Sequence, residues 1–360
     1  MNQRNLVILI ASLALVALAV ILTSPGDQSS LGEGDLLLPG LAENLNDVTQ
    51  LSVRRSGSEQ VAVLTRTENG WVVSDRDNYP ANFTRLRQNL RGLAEARLFE
   101  TKTANPEFYD RLGVQDISEP LATGTEFTLG GTDLKAQIIV GRTDEGGGNL
   151  AYVRRSGEAQ SYLVKASLDP GKSANDWLDA NILDIPSSRV RSVEIRHPDG
   201  EILAIAKGRS ESVNYTVADI PPGRSLTYEG AANAIGAALA GLSLDDVQSA
   251  NTFDPGDIEA TVATFETFDG LRLTVHTWAP PEGQRRVAFS AEATIAKPAN
   301  DDAASDEIGE SGPVDAEAVA GIIDEAADIT ARLGGWVYTL PSFKSEQFVQ
   351  RMNGLLAAPE

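Results

Sequence analysis

The sequence predicts a strand-rich α+β fold, in which an N-terminal transmembrane helix precedes two tandem, internally duplicated α+β units. Three observations predict it. An unbroken apolar run, LVILIASLALVALAVIL, covers Leu6 to Leu22. From Val48 onward, segments alternate apolar and polar residues, the period of half-buried strands. The order of those segments around a helical pattern then recurs from Val190.

The apolar run, with Thr23 and Ser24, approaches the length that crosses a hydrocarbon core. A cleaved signal peptide would place its small-x-small site after the run, whereas Ala17-Leu18-Ala19 lies inside it. Residues 1–25 are therefore expected to form a retained anchor bounded by Leu6 and Leu22. Arg4 precedes the run, and Asp27, Glu33, Asp35, Glu43 and Asp47 follow before the next cation, Arg54. The positive-inside rule then puts the N-terminus in the cytoplasm and the rest outside. Residues 26–46, rich at first in Gly, Ser and acid, are expected to be a flexible stalk.

The first unit is expected over 47–186 and the second over 187–358. VTQLSVRRSG (48–57) matches VRSVEIRHPDG (190–200), and each is followed by a second alternating run and an aromatic strand, GWVVSD or NYTVAD. Helices are expected at about 82–96 and 228–242. Phe83, Leu86, Leu90 and Leu93 step by three and four, as do Ala232, Ile235, Leu239 and Leu242. Asn82 suits the N-cap of the first. Trp71 and Tyr79-Pro80 lead into that helix. Their first role is packing, and an aromatic platform for a glycan or peptide is the functional alternative at Trp71 and Tyr79. The second unit carries an acidic insertion at about 296–333. It opens with AKPANDDAASDEIGESGP and ends in an amphipathic pattern of Val319, Ile322, Ile323, Ala326, Ile329 and Leu333.

Composition narrows the function. A chain of 360 residues with 42% hydrophobic and 22% charged residues is globular and suits about two domains. A net charge of -21 opposes nucleic acid and favours a cationic or neutral partner. With no cysteine there is no disulfide, thiolate nucleophile or Cys-linked lipid. Two histidines, His197 and His276, leave little for imidazole chemistry, and no cofactor or metal is expected.

The best nucleotide-site imitation is ASLDPGKS (166–173), but Pro170 removes one of the backbone donors such a loop needs. GRTDEGGGN (141–149) lacks the dinucleotide-binding order of glycines and reads as a hairpin loop. Asp301, Asp302, Asp306 and Glu307 lack calcium-loop spacing. Pairs such as Asp245-Asp246 are too common among 51 acids to mark general acid–base work.

Several stretches resemble a bacterial family of membrane-anchored proteins of unknown function encoded beside gliding-motility-type (Gld-like) ABC transporters. They are GWVVSDRDNYPAN before a helix, FYDRLGV followed by EP, IIVGRTDEGGGNLAYVRRSG leading to SYLV, and DWLDANILDIPSSRVRSVEI, with WVYTLP near the end. The resemblance implies a single-pass protein of the bacterial inner membrane, its domains periplasmic or extracellular. It implies a non-enzymatic accessory or scaffold subunit whose partner is the ABC transporter permease or an associated membrane protein. Ala11, Ala14 and Ala17 are then the candidate permease-facing positions, since small residues allow close helix approach. A free-standing envelope glycan- or peptide-binding module and a hydrolase with an unrecognised site are the alternatives.

Overall fold

The computed structural model describes residues 34–131, 136–143, 149–294 and 316–358. The described residues divide into two compact units, one within residues 1–60 and 87–170, the other within 61–86 and 171–360. The strands in chain order are β1 (Gln50–Arg55), β2 (Glu59–Thr67), β3 (Gly70–Val73), β4 (Tyr79–Pro80), β5 (Arg97–Thr101), β6 (Thr125–Gly130), β7 (Ala136–Thr143), β8 (Leu150–Arg155), β9 (Ser161–Lys165) and β10 (Asn181–Leu183). They continue as β11 (Val190–Arg196), β12 (Ile202–Ala206), β13 (Thr216–Val217), β14 (Leu242–Ser243), β15 (Asp246–Ser249), β16 (Thr261–Thr267), β17 (Leu271–Trp278), β18 (Arg286–Ala293) and β19 (Trp336–Thr339). The two long helices among the described residues are α1 (Phe83–Glu95) and α2 (Ala316–Leu333).

In the first unit an antiparallel sheet runs β1-β6-β7-β8-β9-β5. The second unit holds an eight-stranded sheet in the order β13-β12-β11-β16-β17-β18-β19-β15, and a small β10-β14 pair. Adding ten to each label of the first order reproduces the run from β11 to β15, so the two sheets share one pattern of connection. Alternation sets the faces. Leu51 and Val53 of β1 face Leu129 and Phe127 of β6, all buried. Val193 and Ile195 of β11 face Phe265 and Ala263 of β16 in the same way.

Two parts of the expected fold class are corrected. The described residues form antiparallel sheets with few helices, not α+β units with matching helices. Residues 228–242 contain only a one-turn helix, Asn233–Gly236, before β14 begins. The apolar steps of Ala232, Ile235 and Leu239 do mark buried positions. However, a side chain at Gly236 would run into the Tyr215 ring, and Gly241 turns the chain with φ at 53°. The second correction concerns the membrane helix. Among the described residues no helix is long and apolar enough to cross a membrane. Leu6–Leu22 lies outside the described residues, and so do Ala11, Ala14 and Ala17.

The described end of the expected stalk also packs. Leu37, Leu38 and Leu41 are buried. Gly34 and Leu37 donate to the carbonyls of Leu98 and Ala96 at 2.7 and 2.8 Å, while Leu98 donates to Asp35 at 2.9 Å. The apolar cluster Leu36-Leu37-Leu38 outweighs the surrounding loop signals.

Helix α1 starts at Asn82, whose Oδ1 accepts from the Arg85 N–H at 3.0 Å. Its buried face is narrower than the apolar steps imply. Leu86 and Leu93 are fully buried and Leu90 half-buried, but Phe83 is 57% exposed. Asn89 takes a fully buried place instead. Its amide donates to the Asp169 carbonyl and its oxygen accepts the Asp169 N–H, both at 2.8 Å. Gly92 leaves room for the Ser167 carbonyl, which a side chain there would strike.

Leu93→Asp should therefore cost more than about 3 kcal/mol, because it buries an unpaired charge. Phe83→Ser should cost less than about 1 kcal/mol, as expected of an exposed site. Urea denaturation of both variants checks this, and equal losses would refute the assigned face.

Candidate functional site

The second sheet has one packed face and one open face. Buried positions of β11, β16 and β17 alternate with half-buried ones that point the other way. Strand register arranges the open positions in rows. Ser192 lies opposite Glu266, Glu266 opposite Arg272, and Arg272 opposite Glu292. The next row is Glu194, Thr264, Thr274 and Ser290.

The first row is an ion-pair ladder. Arg272 reaches Glu266 at 2.8 Å and Glu292 at 2.9 Å, and Arg191 reaches the other oxygen of Glu266 at 2.9 Å. The hydrogen bond from Arg272 is the largest influence on Glu266 and holds its carboxyl below the usual range. Glu266 in turn raises Arg272. A shallow depression of about 360 Å³ lies beside the ladder, floored by Ala204, Ala206 and Ala218 and walled by Glu194 and Glu266. Farther along the same face, Trp278 stands between Phe253, 4.9 Å away edge-on, and the stacked His276 at 6.1 Å.

A larger cleft of about 610 Å³ lies between residues 181–185 and α2, where Glu325, Asp328, Ile329 and Arg332 line it. Its charges are held by fixed partners. Arg189 donates to both oxygens of Glu325 at 2.7 and 2.5 Å and to Asp269 at 2.7 Å. Glu325 is the main reason the Arg189 guanidinium is raised. Asp328 pairs with Arg332 at 2.9 Å, and Asp184 accepts the Gly241 N–H at 2.8 Å. Sequence reading missed the Arg189 trio, because its members are spread over 136 residues and none carries a local motif.

Both sites offer charged side chains held in place by ion pairs, suited to recognition by charge. Among the described residues no group of three or more His, Asp or Glu is placed to hold a metal. The phosphate-loop imitation is already filled by the chain's own carboxylate. Asp176 accepts the Lys172 and Ser173 N–H groups at 2.6 and 2.8 Å. His197 is buried, with its ring nitrogens at 3.2 Å from the Gln350 carbonyl and 3.4 Å from the Thr261 hydroxyl.

The two aromatic candidates do not form a platform. Tyr79 is buried, its ring edge-on to Trp336 at 5.0 Å and to Tyr338 at 6.2 Å. Burial pushes its hydroxyl up to about 12. Trp71 is half-buried in β3, opposite Arg66. The FYDRLGV stretch likewise serves packing. Arg154, almost fully buried, lies 4.7 Å over the Tyr109 ring. It donates to the carbonyls of Val114 and Glu158 at 2.8 Å and to Asp116 at 2.7 Å.

Fold and faces together define a strand-rich protein of two antiparallel sheet units, the second carrying a charged open face. The chain belongs to the family described as a domain of unknown function, DUF4340, whose model matches residues 71–261, just over half its length. No curated protein matches the chain, and no solved structure does.

The ladder predicts a pH signature. The folded Glu266 carboxyl titrates below its unfolded value of about 4.3. Its stabilisation is therefore present above that value and lost as pH falls through the folded pKa. Glu266→Gln should cost about 1 kcal/mol at neutral pH, as suits a partly exposed network. Denaturant midpoints measured from pH 7 downward should show the difference closing in acid, and a constant gap would refute the assignment.

Proposed function

We propose that this protein is a non-enzymatic accessory or scaffold subunit of an ABC-type transporter complex, held at the extracytoplasmic face of the bacterial inner membrane. The transporter neighbourhood is suggested by the sequence resemblance. The observation that carries the reading is the Arg191–Glu266–Arg272–Glu292 ladder on the open sheet face. Its carboxylate is held further into the ionised range and its guanidinium is held charged. A general acid at neutral pH needs the opposite shift. Fixed alternating charges on an open face instead suit complementary docking, where they set register and exclude wrong partners.

One observation favours the envelope binding module as a second reading. Trp278, braced by Phe253 and His276 on the open face, offers an aromatic surface of the kind that takes a sugar ring or a peptide side chain.

Purification of the tagged full-length chain from native membranes in mild detergent should retain an ABC-type permease. Arg272→Glu, which reverses the centre of the ladder, should weaken that retention several-fold. Failure of the unaltered protein to retain any transporter component, with or without crosslinking, would refute the accessory reading. Retention of a defined glycan or peptide in its place would establish the binding module.

A further inference from the structure

The two sheets carry the same face in opposite states. Register makes them comparable, because Val53↔Phe127 of the first sheet corresponds to Val193↔Phe265 of the second. On the far side of the first sheet, Ile139 and Tyr152 pack with Tyr109, Val114 and Ile117, which come from residues 102–124 between β5 and β6. The counterpart between β15 and β16, residues 250–260, is less than half as long. Glycine marks the difference as well. A side chain at Gly141 would strike the Leu112 and Gly113 carbonyls, so the cover lies directly on β7. The matching position of the second sheet, two residues beyond Thr274, is His276, and its imidazole fills the space such a cover takes.

The charges left on the open face define their own complement. Across β11, β16, β17 and β18 the ladder reads plus, minus, plus, minus, through Arg191, Glu266, Arg272 and Glu292. A two-fold axis running along the strands, midway between β16 and β17, reverses that order. Arg191 of each copy then meets Glu292 of the other, and Glu266 meets Arg272. By strand register the same rotation sets Glu194 against Ser290, Thr264 against Thr274 and Arg196 against Ala288. No like charges meet in these rows. An axis running across the strands would set Arg191 on Arg191 and Glu292 on Glu292.

We infer that the open face of the second unit is the interface of a two-fold dimer, its occupant a second copy of the chain. The inference rests on the reading of the ladder as a docking row and names its complement, the transporter then being held by two chains at once. Self-complementarity of one patch is what a two-fold contact requires. From β12 to β18 the face is five strands wide, about 24 Å, and the seven residues of β16 make it about 23 Å long. Two such faces cover roughly 1,100 Å², above the roughly 1,000 Å² that a specific interface needs. The net charge of -21 repels at long range, but salt screens it beyond about 8 Å, whereas the opposed pairs lie in contact.

The chain has no cysteine, so one introduced thiol reports the contact without background. Thr274 lies beside the proposed axis, and face-to-face sheets pack about 10 Å apart, within reach of a short thiol-specific crosslinker. In native membranes, full-length protein carrying Thr274→Cys should form a covalent dimer. Val213→Cys, at a position 80% exposed, should not. Adding Arg272→Glu to Thr274→Cys sets glutamates against each other at the centre and should lower the dimer yield at least tenfold. Reversing all four charges, with Arg191→Glu, Glu266→Arg, Arg272→Glu and Glu292→Arg, keeps every pair within the chain. That variant should crosslink to itself again, but not to a chain whose ladder is unaltered. Absence of dimer from Thr274→Cys would overturn the inference, as would pairing of the reversed chain with the unaltered one. Crosslinking of position 274 to a transporter component in place of a second copy would overturn it and leave the accessory role standing. A covalent dimer that retains no transporter would uphold the inference and refute the accessory role alone.

Discussion

The second unit depends on a hook formed by residues 74–82. Asp77 accepts the Ser249 N–H of β15 at 2.8 Å, and Arg76 reaches Asp246 of the same strand at 3.0 Å. β15 is the last strand of its sheet, and an uncovered edge invites pairing with other chains. Two residues farther on, Tyr79 places its ring against Trp336 and Tyr338. Asn82 then donates its N–H to the Trp177 carbonyl at 2.7 Å and caps α1. The turn that makes this possible holds Asp77 and Asn78 both at positive φ, 53° and 64°. Asp and Asn enter that region more readily than other non-glycine residues. Within the order Asp-Arg-Asp-Asn-Tyr-Pro-Ala-Asn, Arg76 thus makes the ion pair, Asp77 the clamp, Asp77 and Asn78 the left-handed turn, Tyr79 the core ring and Asn82 the cap.

The two sheets show how one pattern of connection is put to different uses. In the first unit β8 and β9 close as a tight hairpin, and the polar interior is spent on packing, with Arg154 satisfied by carbonyls and Asp116. In the second unit the same hairpin is opened by an insertion whose helix covers the exposed strand edge and walls a cleft. The charged groups there are arranged differently too. Arg189, Glu325 and Asp269 join the residue that leads into β11, α2 and the β16–β17 turn, and the ladder crosses the open face. The insertion helix, the Arg189 trio and the open-face ladder thus all lie in the second unit.

Much of the strand architecture was legible, because alternation over five to eight residues maps directly onto the two faces of a sheet. Capping at Asn82 and the amphipathic pattern ending at Leu333 were also readable, each resting on neighbours in sequence. The helix expected at 228–242 failed for a reason periodicity cannot carry. Steps of three and four mark buried residues in successive turns as well as in a helix, and the obstacle, the Tyr215 ring against Gly236, comes from elsewhere in the chain. Phe83 fits the apolar steps yet is exposed, because burial depends on what the helix end faces. The Arg189 network joins residues from three distant stretches and leaves no local trace. Tyr79, read as a possible surface aromatic, is a core residue for the same reason, since Trp336 and Tyr338 lie far away in sequence.

The hook is the central claim, and hydrogen exchange at one amide tests it most directly. Asp77→Gly removes the carboxylate while keeping a residue at ease with positive φ. The Ser249 amide should then exchange at least tenfold faster than in the unaltered protein, while amides in the central strands β16 and β17 keep their protection. Unchanged protection at Ser249 would show that Asp77 does not hold the sheet edge and would contradict the account.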